Sequence, residues 1–326
     1  MTGHGDSGGG NPWRRGGGRD DPPRHTPRTT PRPSRADGPH ADAAPRTDAG
    51  SRGSGAPRGP RPPRAAAWPA PDSEAAAAPR PERRDELRLH GLNAVEAMFA
   101  RRPDALRKLY LVQSRIHRLQ PLLKWCVSQR LGYRVVEEDD LTKLAGSAHH
   151  EGVVADVTRA PVPVLETWLA GRDTASPSCL LWLDGVGNPH NFGAILRSAA
   201  HFGIDAVLLP AQGGLALSGS AARVAEGGAE AVPLVRLPPA AEAIGSLHAA
   251  GYRLVATVAR DGDDLFRNAP PARVVYVLGA EGEGMDPVLT AACDRRVSIP
   301  GTGAVESLNV ATATGVLLAS WRAAHG

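Results

Sequence analysis

Polar side chains and glycines recur together in three segments of the C-terminal half of this chain. One is Ile299-Pro300-Gly301-Thr302-Gly303, followed by Glu306, Ser307 and Asn309 and an apolar run to Trp321. Glycines without Cβ atoms let bare backbone approach a ligand, and a helix N-terminus offers unclaimed N–H groups. Ser307 suits two tasks here, capping the helix or serving a site. The second segment is Asn191-Phe192-Gly193, with Arg197 one and a half turns along the same helix; the third is Gly279-Ala280-Glu281-Gly282-Glu283-Gly284. Turns of this make-up accept a nucleotide or a nucleotide-like cofactor. The spacing matches no dinucleotide-binding fingerprint and no G-x-x-x-x-G-K-[ST] occurs, which argues against NAD and against a P-loop ATPase.

The elements that must position these segments read as alternating strands and helices. Leu180–Leu183 is almost wholly apolar, as in a sheet covered on both faces. Strands follow at Ala206–Leu209, Val232–Val235, Leu254–Val258, Val274–Leu278 and Val297–Ile299, with helices over Asn191–Phe202, Ala221–Glu226, Ala240–Ala250 and from Ser307 onward. Pro233 marks its strand as an edge or a strand start. Such alternation indicates an α/β fold with a parallel sheet and ligands at the carboxyl ends of its strands. All three segments fall at that edge. The helix from Ser307 has almost no polar face, so it is expected to be covered on most sides.

A smaller α/β unit precedes this one. Helical spacing over Asn93–Arg101, strands at Leu109–Val112, Tyr133–Val136 and Val153–Val157, a helix over Ile116–Leu131 stopped by Gly132, and a brief helix over Asp139–Ala145 define it. Pro161 and Pro163 mark the linker. The resulting division is 1–86 as a tail, 87–160 as a front domain and 164–326 as a second domain.

Residues 1–85 hold 15 Arg, no Lys and 10 acidic residues, a net of +5, while the remaining residues hold 23 basic and 24 acidic side chains, a net of −1. An Arg/Gly/Pro-rich segment of this kind cannot bury enough apolar surface to order itself and is expected to be disordered. It suits either salt-dependent contact with nucleic acid or simple solubilisation. No secretory signal and no membrane span is read from the sequence. Cys126, Cys179 and Cys293 are far apart and odd in number, which fits reduced thiols of a cytoplasmic protein without a metal or disulfide framework. His149 and His150 are read as surface or RNA-contacting residues, and Glu230 as structural or at the edge of the site.

Taken together, the three segments resemble the three motifs of the SpoU (TrmH) family of RNA ribose 2′-O-methyltransferases, in the SPOUT superfamily. Asn191–Ala199 is similar to the first motif, Val277–Gly284 to the second, and Ile299-Pro300, Gly303 and Glu306–Val310 to the third. His90-Gly91, Ala94-Val95 and His150–Val153 resemble the family's substrate-binding domain, which is L30e-like. Where many members carry Asp-Pro before the first motif, this chain has Asn188-Pro189.

The resemblance implies a deep trefoil knot, a homodimer built through the C-terminal helix and knot, and tRNA or rRNA as partner. It implies S-adenosyl-L-methionine held by Leu278, Gly279, Ala280, Gly282, Ile299, Pro300, Gly303 and Leu308. It also implies catalytic roles for Arg197, Asn191, Glu281, Ser307 and Asn309. Arg197 is expected to bind the 2′-oxygen and a neighbouring phosphate, Asn191 and Asn309 to orient it or the ribose, Glu281 to anchor a loop or fix RNA, and Ser307 to contact substrate or backbone. The competing expectation is an RNA-binding protein of the same fold with little catalytic activity.

Overall fold

The computed structural model describes residues 85–212, 215–280 and 284–326. The tail lies outside these residues except for Asp85 and Glu86, and Glu86 already belongs to a strand. The strands are β1 (Glu86–His90), β2 (Leu106–Leu111), β3 (Gly132–Val135), β4 (Val153–Thr158), β5 (Ser178–Leu183), β6 (Ala206–Leu209), β7 (Leu234–Arg236), β8 (Arg253–Thr257), β9 (Asp263–Asp264), β10 (Arg273–Leu278) and β11 (Arg295–Ser298). The helices are α1 (Leu92–Arg101), α2 (Gln120–Ser128), α3 (Glu138–Ala145), α4 (Leu165–Leu169), α5 (Pro189–Phe202), α6 (Gly219–Val224), α7 (Gly228–Ala231), α8 (Ala240–Ala249), α9 (Pro287–Ala292) and α10 (Val310–His325).

The front unit is a four-stranded sheet in the order β1-β4-β2-β3. Period-two alternation sorts its side chains. Leu109 and Leu111 join Leu87, Leu89, Val153, Ala155 and Val157 beneath α1 and α2, while Tyr110 and Val154 join Leu141 of α3 on the other face. α2 is shorter than the periodicity predicts. Pro121, at its first turn, lacks an N–H and sets the start of the helix, and Gln113–Arg115 form a separate 3-10 turn instead. Arg130, at φ 56°, reverses the chain after α2, so Gly132 is free to begin β3 and does not end the helix.

The second sheet has seven strands in the order β7-β6-β5-β10-β8-β11-β9, all paired in parallel. Both faces are covered. Cys179, Leu181 and Leu183 pack with Phe192, Ile195 and Leu196 of α5 and Leu317, Leu318 and Trp321 of α10; Leu180 and Trp182 pack with Trp168 of α4 and Ala243 and Leu247 of α8. β7 lies at the sheet edge, as Pro233 suggests. The α/β expectation holds, and β1, α4, α7, β9 and α9 add elements that the pattern alone did not predict. α9 has a legible start: Asp286 accepts hydrogen bonds from the amides of Val288 (2.6 Å) and Leu289 (3.2 Å), with Pro287 at the first position.

The two sheets meet through β1, α1, α6 and α7. Arg102 grips Glu230 with two bonds of 2.7 Å. Glu230 is therefore structural, and this fork-on-fork geometry is the strong form of an ion pair. Arg159 donates to the Leu217 carbonyl at 2.7 Å, and Asn93 donates to Glu226. A Cβ at Gly219 would stand 2.3 Å from the Arg88 carbonyl oxygen, so only glycine lets α6 lie on β1.

Candidate active site

The carboxyl ends of β8, β10 and β11 open into a cavity of about 750 Å³. Its walls come from the loops that follow those strands and from the start of α10. Leu278, Val297, Ile299 and Leu317 give it an apolar side; Gly279, Ala280, Pro300, Gly301, Thr302 and Gly303 give it a backbone side; Glu306, Ser307, Leu308 and Asn309 close the rim.

Each glycine has its own reason. A Cβ at Gly279 would sit 2.5 Å from the carbonyl carbon of Gly284 and from the amide of Met285. Gly279 thus lets the loop after β10 fold back, and Ala280 and Gly284 exchange hydrogen bonds of 2.9 and 3.0 Å across it. Gly303 takes φ 81°, which favours glycine. Gly301 meets neither constraint, because an added Cβ would touch nothing within 4 Å. Gly193, read as part of a ligand-facing turn, is instead buried where α5 crosses α6, and a Cβ there would lie 2.5 Å from the Ala221 carbonyl oxygen. Glu281 and Gly282 lie outside the described residues.

The structure brings two of the polar residues into contact. Asn309 donates from Nδ2 to Oδ1 of Asn191 at 3.0 Å. The same Asn309 caps α10, its Oδ1 accepting from the amides of Ala311 (3.0 Å) and Thr312 (3.3 Å). The helix therefore starts at Val310 and not at Ser307. Asn satisfies the first amides as well as Ser does, and Ser307 stays in the exposed loop at the cavity rim. Asn188 caps α5 by accepting from the amide of His190 at 2.8 Å, ahead of Pro189. Capping requires the side-chain oxygen and not a charge, which accounts for Asn in place of Asp at this position.

Arg197 lies elsewhere. It is six residues beyond Asn191, hence about 9 Å along α5 and turned by about a third of a revolution. Its guanidinium borders a second, open groove together with Asn93, Arg101, His201, Glu226 and Gly227. The charged residue that lines the cavity beyond β8, Arg260, was missed in the sequence. The signal was available, since β8 is a central parallel strand and its carboxyl end belongs to the same edge.

Other groups are accounted for structurally. His150, expected at the surface, is buried: Gly152 donates its amide to Nδ1 at 3.1 Å and Thr142 Oγ1 lies 3.1 Å from Nε2. An accepting Nδ1 leaves the proton on Nε2. Burial pushes the thiols of Cys126 and Cys179 up, and that of Cys293 to about 11, which disfavours thiolate chemistry. Among the described residues no group of three or more His, Cys, Asp or Glu could hold a metal ion, and no helix is long and apolar enough to cross a membrane.

The cavity fits S-adenosylmethionine by its donor set. The amides of Gly301, Thr302 and Gly303 donate to no acceptor among the described residues, and Leu278, Ile299 and Leu317 face them across the space. Free backbone donors opposite an apolar wall suit a purine and the chain attached to it.

Comparison with known proteins gives the same picture. Residues 178–319 match the SpoU rRNA methylase family, and residues 88–163 match the RNA 2′-O ribose methyltransferase substrate-binding family. The chain is 38% identical over 242 residues to the uncharacterized tRNA/rRNA methyltransferase YfiF of Escherichia coli O157:H7, covering 74% of this chain and 69% of that one. It is 35% identical over 234 residues to the 23S rRNA (guanosine-2′-O-)-methyltransferase RlmB of Salmonella typhimurium, covering 71% of this chain and 95% of the relative. Among solved structures, the AdoMet-bound rRNA methyltransferase from Sinorhizobium meliloti superposes with a TM-score of 0.61 at 23% identity, over 73% of this chain and 87% of that one. The SpoU methyltransferase AviRb from Streptomyces viridochromogenes, in complex with AdoMet, superposes with the same TM-score of 0.61 at 23% identity, over 74% and 90%. With both parts of the chain matched and a relative 35% identical covered over 95% of its length, this chain belongs to the SpoU family of RNA 2′-O-ribose methyltransferases.

Proposed function

We propose that the protein transfers a methyl group from S-adenosylmethionine to a ribose 2′-hydroxyl of tRNA or rRNA. The observation that carries this reading is the cavity at the carboxyl edge of the parallel sheet, rimmed by Ser307 and by Asn309 in its bond to Asn191. The relatives named for 23S rRNA guanosine and for tRNA/rRNA methylation support RNA as the substrate.

S-adenosylmethionine supplies an electrophilic methyl group. Leu278, Gly279, Ala280, Gly282, Ile299, Pro300, Gly303 and Leu308 would hold it. The chain's own task is to make a poor nucleophile reactive. A guanidinium is effectively always protonated and makes a poor base. We assign Arg197 to the 2′-oxygen and an adjacent phosphate, where a fixed cation stabilises the developing negative charge. Asn191, held by Asn309, orients the ribose; Ser307 contacts substrate at the rim, and Glu281 anchors its loop.

Arg197 borders a different concavity from the cavity of its own chain. A homodimer accommodates this, because a second copy can bring its Arg197 to the first copy's cavity. Val305 and Leu308 are 70% and 44% exposed beside α10, whose Ala311, Ala313 and Val316 are only partly covered. These apolar groups support a dimer through α10. The trefoil knot and a cytoplasmic location, where the RNA is at hand, belong to the same reading.

Two measurements test it. Calorimetry with S-adenosylmethionine should show binding; its absence overturns the reading in favour of an RNA binder. Arg197→Ala should lower methyl transfer by about two orders of magnitude or more while leaving cofactor affinity and melting temperature unchanged. Retained turnover would remove Arg197 from the mechanism.

A further inference from the structure

The groove that Arg197 borders is built by both halves of the molecule. Asn93 and Arg101 come from α1 of the front sheet, Arg197 and His201 from α5, and Glu226 and Gly227 from the turn before α7. It measures about 560 Å³ and is open to solvent. The guanidiniums of Arg101 and Arg197 are exposed and make no hydrogen bond or ion pair among the described residues. Most other arginines of the front unit are engaged: Arg88 with Asp156, Arg102 with Glu230 and Arg118 with Glu96.

The floor of the groove is specifically shaped. Glu226 takes φ 51° and Gly227 φ 91°. A non-glycine residue held in that region costs about 1 kcal/mol or more and persists only where its surroundings enforce it. Here Asn93 holds the Glu226 carboxylate. A Cβ on Gly227 would stand 3.0 Å from the Ala97 side chain, and one on Gly228 2.7 Å from the Leu196 carbonyl oxygen. The turn is thus pressed between α1 and α5, which fixes Arg101 and Arg197 on opposite banks. Two guanidiniums outweigh the single carboxylate, which Asn93 already engages.

We propose that this groove seats one phosphate of the RNA backbone between Arg101 and Arg197, with His201 beside it, and that Arg101 is a substrate-positioning residue. Two planar guanidiniums from separate elements match the several oxygens of a phosphodiester. Such a contact carries no sequence information; it sets the register of the strand. Because Arg101 sits on the front unit and Arg197 on α5, whose first turn carries Asn191, a strand held here bridges the front unit and the helix of the catalytic motif. The proposal rests on RNA being the substrate.

The test is the salt dependence of RNA binding, measured without cofactor. A labelled single-stranded RNA of about 20 nucleotides is titrated with the full chain by fluorescence anisotropy between about 50 and 200 mM salt. Each backbone phosphate neutralised contributes about −0.7 to the slope of log K against log salt on a single strand. Arg101→Gln and Arg197→Gln should each weaken binding and flatten the slope by about that amount. The double variant should flatten it by less than the sum, since both cations serve one phosphate, and Arg101→Lys should restore the slope. Residues 1–85, with their 15 Arg, contribute alike in every variant. Unchanged slopes in variants that still bind RNA overturn the groove and leave the methyltransferase reading standing. Absence of RNA binding by the parent chain overturns both. Because both side chains are exposed and unpaired, unchanged melting of each variant confirms that the effect is on binding and not on folding.

Discussion

The two ends of the parallel sheet are built to opposite specifications. At the amino ends of β5, β8 and β10, polar groups are stitched together. Asp205 accepts from Ser178 Oγ at 2.7 Å and from the amide of Cys179 at 3.2 Å, and Ser178 shares its hydroxyl with Tyr252 at 2.7 Å. Asp294 accepts from the Leu254 amide at 2.8 Å, from His248 at 2.9 Å and from Arg253 at 2.9 Å. Arg273 lies 4.2 Å over the Tyr252 ring. At the carboxyl ends the amides of Gly301, Thr302 and Gly303 are unclaimed and the loop 301–309 is exposed throughout. One end is bonded largely within the chain, and the other, among the described residues, leaves the amides of 301–303 for a ligand.

Substitutions at the two ends should separate stability from function. The largest loss of stability is expected from Asp294→Ala, which strands the Leu254 amide and removes the partner of His248 and Arg253, at about 1–3 kcal/mol. Denaturant unfolding should register that loss, while cofactor affinity of the folded protein stays within about twofold. Burial alone would raise the Asp294 carboxyl, but the Leu254 amide, His248 and Arg253 outweigh it and hold the carboxyl below its usual range. Its contribution is therefore present above the unfolded value, near pH 3.8, and is lost as pH falls through the lower folded value. Gly279→Val inverts the result. The loop must move to admit the side chain, so S-adenosylmethionine affinity measured by calorimetry should fall about tenfold or more, with a change in melting temperature of only about 2 °C.

Asn309→Ala falls between the two, because Asn309 belongs to both a helix cap and the site. Loss of the cap should cost about 1 kcal/mol, and freeing Asn191 should lower kcat beyond what that loss of stability accounts for. A kcat that follows the folded fraction alone would make Asn309 only a cap. The smallest effect concerns the joint between the sheets. His90 is buried against Gly219, and its ring nitrogens have no hydrogen-bond partner among the described residues. Burial first, then the Arg223 guanidinium, holds its pKa below the ordinary 6.5. The folded state thus binds the proton less readily than the unfolded chain. Stability should be full above about pH 6.5 and decline as pH falls toward the lowered value. His90→Gln, which does not titrate there, should flatten that part of the stability profile.

Much of this was legible in the sequence. Apolar runs such as Leu180–Leu183 and Val274–Leu278 identify covered parallel strands whatever their neighbours, and glycine clusters mark where those strands end. What was missed depends on tertiary contact. β1 is five residues long and pairs with β4 across most of the front unit, and its ELRLH pattern is too brief to stand out. Ser307 and Asn309 are equally good caps by type, and only the turn of the preceding loop decides that Asn309 takes the role. His150 looks like a surface residue until Gly152 and Thr142 are seen to satisfy it. Asn191 and Arg197 share a motif and a helix, yet helical geometry sends them to different concavities.

The position of β11 has a consequence for how the protein is made. This strand, Arg295–Ser298, lies between β8 and β9, both made earlier in the chain. A ribosome emits the chain from its N-terminus, so the sheet waits with a gap until Arg295–Ser298 have been synthesised. The last insertion brings with it the loop 299–309 that forms one wall of the cavity. Contacts so distant in sequence form slowly. A nascent chain that stops before β11 therefore has its front sheet and most of its core but no cofactor site, and competence arrives only with the residues from Arg295 onward.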